Sequence, residues 1–133
     1  MIFSYLRYWL LREDKYSLQS SELYKLYMGL LDFLKIKPQG EPQIEQFRSS
    51  LLQNKQSIPV EDFGAGSIRV PGESRAVNKI AKYSTSSAKY ALLYQYFCQL
   101  TPAQNVLELG TCLGISTRYL SQVTKGRLYT FEG

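Results

Sequence analysis

Apolar positions in the first third of the chain recur at helical spacing. Leu23, Leu26, Tyr27, Leu30, Leu31 and Leu34 follow the i, i+3, i+4, i+7, i+8, i+11 progression, which gathers them on one stripe of an amphipathic helix. Ser20 or Ser21 supplies a capping oxygen at its start, and Pro38 and Gly40 end it. Pro42 opens the next helix, because proline fits the first turn, where its missing N–H costs nothing. Ile44, Phe47, Leu51 and Leu52 line one face of that helix. Ahead of both, residues 2–11 are apolar and aromatic around a single Arg7. That run is too short to span a bilayer, which takes about 20 residues, and no small-residue cleavage site follows it. The pattern predicts a buried first helix.

Residues 57–71 lose the helical period. Ile58-Pro59-Val60-Glu61-Asp62-Phe63-Gly64-Ala65-Gly66-Ser67 is rich in turn residues and reads as an exposed, partly extended connector. Gly64-Ala65-Gly66 is no phosphate loop, since no strand precedes it and Pro71-Gly72 breaks any helix after it. Helical spacing returns near Ser74, with Val77, Ile80 and Ala81 in a short helix. Ser84-Thr85-Ser86-Ser87 is a polar break. Tyr90, Leu93, Tyr94, Phe97 and Leu100 then repeat at helical spacing until Thr101-Pro102. The period changes once more near the end. Asn105-Val106-Leu107-Glu108-Leu109 and Arg127-Leu128-Tyr129-Thr130-Phe131 read as strands, with a helix over 115–123 between them. Strand, glycine-containing turn, helix and strand make a βαβ unit with a right-handed crossover.

Composition narrows the chemistry. The chain has 133 residues, 44% hydrophobic and 20% charged, with six Phe, eleven Tyr and one Trp, enough apolar material for a core. Histidine is absent, which excludes a Ser-His-Asp triad and an H-E-x-x-H zinc site. The two cysteines, Cys98 and Cys112, build neither a disulfide framework nor a four-cysteine metal site, and a reducing, cytoplasmic setting is expected. The net charge of +5 permits an anionic partner without requiring one.

The informative stretch is Val106-Leu107-Glu108-Leu109-Gly110-Thr111-Cys112-Leu113-Gly114-Ile115-Ser116-Thr117. Glycine at a strand-to-helix turn lets backbone approach a ligand, and the helix start offers free N–H groups. Glu132, at the tip of the second strand, follows Gly110 by 22 residues, where a carboxylate accepts both hydroxyls of a ribose. A nicotinamide fingerprint, G-x-G-x-x-G, does not fit, because Cys112 stands where its middle glycine belongs. Glu108, two residues before Gly110, would repel a pyrophosphate and attract a cationic amino-acid group. S-adenosylmethionine, with an ammonium and a sulfonium, suits these residues better.

At these residues the sequence resembles the class I S-adenosylmethionine-dependent methyltransferases. Glu108-Leu109-Gly110-Thr111-Cys112-Leu113-Gly114 is similar to their first motif, E/D-x-G-x-x-x-G, and the wider run most resembles the small-molecule O-methyltransferases of the catechol O-methyltransferase type. Tyr129-Thr130-Phe131-Glu132 resembles the second motif. The resemblance covers about 50 residues, from Ser84 to Gly133. It implies cofactor binding by Glu108, Gly110, Thr111, Gly114, Ser116 and Glu132. In that scheme Glu108 helps hold the methionine ammonium, Gly110 and Gly114 shape the turn beneath the methionine portion, Ser116 donates to its carboxylate and Glu132 takes the ribose. Residues 84–87 close one side of the pocket.

The resulting expectation is an α/β chain in three parts. Residues 1–56 form a helical cap or dimer region and 57–73 a turn-rich loop. Residues 74–133 begin a Rossmann-like, S-adenosylmethionine-binding domain, of which only the first βαβ unit is present. The family's sheet has further strands, so this piece is expected to be inactive alone and either part of a longer chain or paired with another copy. No catalytic residue is assignable, and a divalent metal, if one is needed, belongs to residues outside the chain. The expected partner is a small-molecule methyl acceptor, not a membrane. The alternative is a non-catalytic interaction or nucleic-acid-binding protein. Scattered basic residues and tyrosines at core spacing speak against its nucleic-acid form.

Overall fold

The computed structural model describes residues 2–11, 18, 20–61, 69–101 and 103–132. Among these the chain is mixed α/β, with six helices and two small sheets. The charged stretch 12–15, the loop 62–67 with its Gly-Ala-Gly, Pro102 and Gly133 lie outside the described residues. The chain divides into two units, Met1–Ile36 and Lys37–Gly133. That boundary precedes the third helix, which lies in the second unit.

The first unit holds α1 (Ile2–Leu11) and α2 (Ser21–Ile36). The first helix forms as expected but is not buried: Phe3, Tyr5, Leu6, Tyr8, Leu10 and Leu11 are all exposed. Ser4 and Arg7 set a polar side on an otherwise apolar and aromatic helix. In α2 the stripe Leu26, Tyr27, Leu30, Leu31 and Leu34 is half-buried, while Leu23 is exposed. Ser20 is the cap, its hydroxyl accepting the Leu23 N–H at 3.4 Å. Among the described residues, no helix is long and apolar enough to cross a membrane.

Early in the second unit come a left-handed Gly40 and α3 (Pro42–Gln53). Ile44 is buried and Phe47 and Leu51 half-buried, but Leu52 is exposed. Next come two three-residue strands, β1 (Ser57–Pro59) and β2 (Ser74–Ala76), paired antiparallel with Ile58 opposite Arg75. The connector read from sequence thus opens with a strand, and its partner strand follows it directly. Val60 N–H to Glu73 carbonyl (2.8 Å) and Val77 N–H to Gln56 carbonyl (2.9 Å) lengthen the pairing at either end.

The short helix α4 (Val77–Tyr83) buries Val77, Ile80 and Ala81, the residues its pattern named. The longer α5 (Ala88–Leu100) is rotated from expectation. It buries Ala91, Leu92, Gln95 and Tyr96, while Tyr90, Tyr94, Phe97 and Leu100 are exposed. Gln95 makes that rotation possible. Its side-chain amide donates to the Tyr119 carbonyl (2.8 Å) and the Gln122 side chain (2.9 Å), so its burial leaves the amide satisfied.

The βαβ unit follows, with β3 (Asn105–Leu109), α6 (Ile115–Ser121) and β4 (Arg127–Phe131). The strands pair in parallel, Asn105 opposite Arg127 through Leu109 opposite Phe131. Ile115, Tyr119 and Leu120 are buried, and α6 packs on α5 and α3. The other sheet face is open, with Leu107 68% and Leu109 84% exposed.

Tyr119 fastens α6 to the start of α3. Its hydroxyl donates to the Glu45 carboxylate (2.8 Å) and accepts the Glu41 N–H (2.9 Å). A Cβ on Gly40 would overlap that hydroxyl, so the glycine is required by both space and backbone conformation.

Candidate functional site

The chain leaves β3 through Gly110 (φ 88°), Cys112 (φ 50°) and Gly114 (φ 71°), three left-handed residues within five. Glycine adopts this region freely, whereas an L side chain pays about 1–2 kcal/mol. Cys112, standing where a dinucleotide fingerprint has glycine, carries that cost.

What holds the loop is the end of β4. The N–H groups of Gly110 and Thr111 both donate to the Phe131 carbonyl, at 2.8 and 3.2 Å. The next N–H, of Cys112, donates to the Glu132 carboxylate at 2.5 Å. The Thr111 and Thr130 hydroxyls share a further hydrogen bond. Three successive amides therefore converge on one strand end, the last in a charge-assisted bond. The Cys112 thiol is raised above its ordinary value, first by burial and further by the Glu132 charge, and so stays protonated at neutral pH.

Glu108 lies on the inward face of β3 and is 8% exposed. One carboxylate oxygen accepts the Thr117 hydroxyl at 2.5 Å. The other, Oε1, is buried with no hydrogen-bond partner. An orphaned buried carboxylate oxygen is costly; it is offset by a cationic or donating group placed against it.

Two cavities meet this loop. One, of about 420 Å³, is lined by Glu108, Gly110, Ser116, Ser86, Tyr94 and Phe97, among others. The aromatic positions expected in the core of α5 thus line its wall. The other, of about 580 Å³, is lined by Gly110, Cys112, Glu132, Ser84, Ile58 and Arg75, among others. Gly110 lines both. A Cβ there would meet nothing within 4 Å, so its surroundings leave room for a ligand.

The six predicted residues are therefore divided. Glu108 and Ser116 face one cavity, Glu132 the other, and Gly110 joins them. Thr111 turns its hydroxyl to β4. Gly114 shapes the entry to α6, its N–H donating to the Thr111 carbonyl at 2.8 Å. Glu108 lines the first cavity, and its unpartnered oxygen is buried. The second offers an exposed carboxylate, oriented by an amide, to hydroxyl donors.

Sequence reasoning missed several participants. Thr117 bonds Glu108; a hydroxyl in the first turn of the helix after the motif was the available signal. Cys112 acts through its backbone, which its side chain does not advertise. Ile58 and Arg75 enter from the β1–β2 sheet, for which three-residue strands give no periodic signal. Neither a family model nor a curated protein nor a solved structure matches the chain.

Proposed function

We propose that residues 37–133 form the cofactor-binding part of a class I S-adenosylmethionine-dependent methyltransferase, of the small-molecule O-methyltransferase type, built on a Rossmann-like βαβ unit. The observation that carries this reading is the placement of two carboxylates, Glu108 with a buried, unpartnered oxygen and Glu132 oriented at the strand tip, on two cavities that share Gly110. Bound S-adenosylmethionine supplies an electrophilic methyl on a sulfonium sulfur. In this reading Glu108 compensates the ammonium, with Thr117 holding the carboxylate in place. Glu132 accepts the ribose hydroxyls, and Gly110 lets the ligand pass close to backbone. The unpaired thiols accord with a reducing, cytoplasmic setting.

The test is calorimetric titration of the chain with S-adenosylhomocysteine and, separately, with adenosine and methionine. S-adenosylhomocysteine is expected to bind. Glu132→Ala should weaken adenosine, and Glu108→Gln should weaken methionine, each about tenfold or more, the scale of a lost hydrogen bond to a charged group. Absence of S-adenosylhomocysteine binding by a folded wild-type chain, or equal effects of both variants on both fragments, refutes the reading.

A further inference from the structure

The four-residue turn 84–87 separates α4 from α5. Ser84 lines the larger cavity and Ser86 the smaller. Thr85, between them, faces neither; its hydroxyl is turned into the protein. It donates to the Ala81 carbonyl at 2.6 Å and accepts Nη1 of Arg48 at 2.9 Å, a bond spanning 37 residues of sequence.

Arg48 lies on α3 and its side chain is only 13% exposed. Its Nε donates to Glu45 at 2.8 Å, and Nη2 is buried without a partner. Glu45 and Thr85 are therefore what hold this guanidinium in place. The other oxygen of Glu45 accepts the Tyr119 hydroxyl. A continuous chain of hydrogen bonds thus runs from α6 through Tyr119, Glu45 and Arg48 to Thr85. It ends on the residue whose two neighbours wall both cavities. A planar guanidinium with two fixed bonds restrains its acceptors more firmly than a single flexible donor does.

We propose that Arg48 is a positioning residue: through Thr85 it fixes the 84–87 turn and so sets the affinity of both cavities for their ligand. This rests on the proposed function for the identity of that ligand, but not for the mechanical link. Arg48 touches no ligand itself. It acts by holding Ser84 and Ser86 at set positions before binding, which removes an ordering cost from the binding step.

The test uses the full chain with Thr85→Val, Thr85→Ser, Arg48→Met and Arg48→Lys. Two readouts are taken: calorimetric binding of S-adenosylhomocysteine, and amide hydrogen exchange over residues 84–88 without ligand. Thr85→Val keeps the side-chain volume and loses both bonds; Thr85→Ser keeps the hydroxyl. The expected result is about tenfold weaker binding in Thr85→Val and Arg48→Met, with faster exchange confined to 84–88. Thr85→Ser should restore both readouts, and Arg48→Lys should not. A merely structural role would lower the melting temperature of Thr85→Val and leave binding by the folded protein within twofold; that result overturns the proposal. So does unchanged exchange at 84–88 in both Thr85→Val and Arg48→Met. If wild-type protein takes no S-adenosylhomocysteine, the proposed function falls, and exchange alone decides: faster at 84–88 and rescued by serine supports the link, unchanged overturns it.

Discussion

Replacing Tyr119 with Phe removes one oxygen and tests how the second unit is held together. The ring is fully buried and fills the same space in the variant, so packing is preserved. Two bonds are lost. The one to Glu45 has a charged acceptor, about 1.5–3 kcal/mol, and the one from the Glu41 N–H is worth about 0.5–1.5 kcal/mol. Glu45 keeps its bond to Arg48, which limits the damage to its carboxylate. The expected loss is therefore roughly 2–4 kcal/mol, read by urea unfolding at pH 7. The phenol itself supplies a second check. Burial, with the charge and hydrogen bond of Glu45 adding to it, pushes Tyr119 up to about 12 from an ordinary value of 10.0. Above pH 10 the unfolded chain releases a proton that the native chain retains, so stability falls as pH rises toward 12. Below pH 10 this contribution is fully present. The gap between wild type and Tyr119→Phe should accordingly shrink by about 1 kcal/mol between pH 9 and pH 11. A variant within about 0.5 kcal/mol of wild type at pH 7, or a gap that does not narrow in alkali, refutes the reasoning.

Gly40→Ala should cost about 3 kcal/mol in urea unfolding, because its Cβ overlaps the Tyr119 hydroxyl and its φ is +86°; the cost should drop in the Tyr119→Phe background, since the two positions share one contact. Gly110→Ala meets no neighbour and should lose only the left-handed cost of about 1–2 kcal/mol, while S-adenosylhomocysteine titration should show a disproportionate loss of binding. Leu109→Lys, at a side chain 84% exposed, should leave the unfolding midpoint within about 0.5 kcal/mol of wild type; a larger loss would mean that the open sheet face is covered in solution.

The strands of the βαβ unit were legible because each is a short run bounded by turn residues. Residues 105–109 and 127–131 are apolar runs bounded by turns, and both are strands over those residues. The expected helix over 115–123 ends at Ser121, two residues early. The apolar face of α5 was misjudged because period alone cannot say which neighbour a stripe meets. Tyr94 and Phe97 face a cavity, and the buried face is carried by Gln95, whose partners lie more than 20 residues away in sequence. The exposed α1 shows a related failure: apolar composition predicts a helix but supplies no partner. Three-residue strands such as β1, with one half-buried side chain between two exposed ones, lie below what alternation can reveal.

On the proposed function, the division of the site into two cavities constrains the ligand more than either carboxylate does alone. A cation paired with Glu108 alone would leave Glu132 facing solvent; a nucleoside at Glu132 alone would leave the buried oxygen of Glu108 unsatisfied. Both are satisfied by one molecule only if it is cationic at one end, carries hydroxyls at the other and is narrow between, because its middle must cross Gly110. That residue is suited to the crossing. It has open space where a side chain would stand, and its amide is already committed to Phe131, so the strand end keeps its shape as the ligand passes. The sequence could announce each carboxylate by its distance from a glycine. It could not announce that Glu108 points inward with one oxygen unmet, since that depends on Thr117 taking the other. On the proposed function, selectivity would reside in the unmatched oxygen, and the glycine between the cavities would set how far from it the hydroxyl-bearing end must lie.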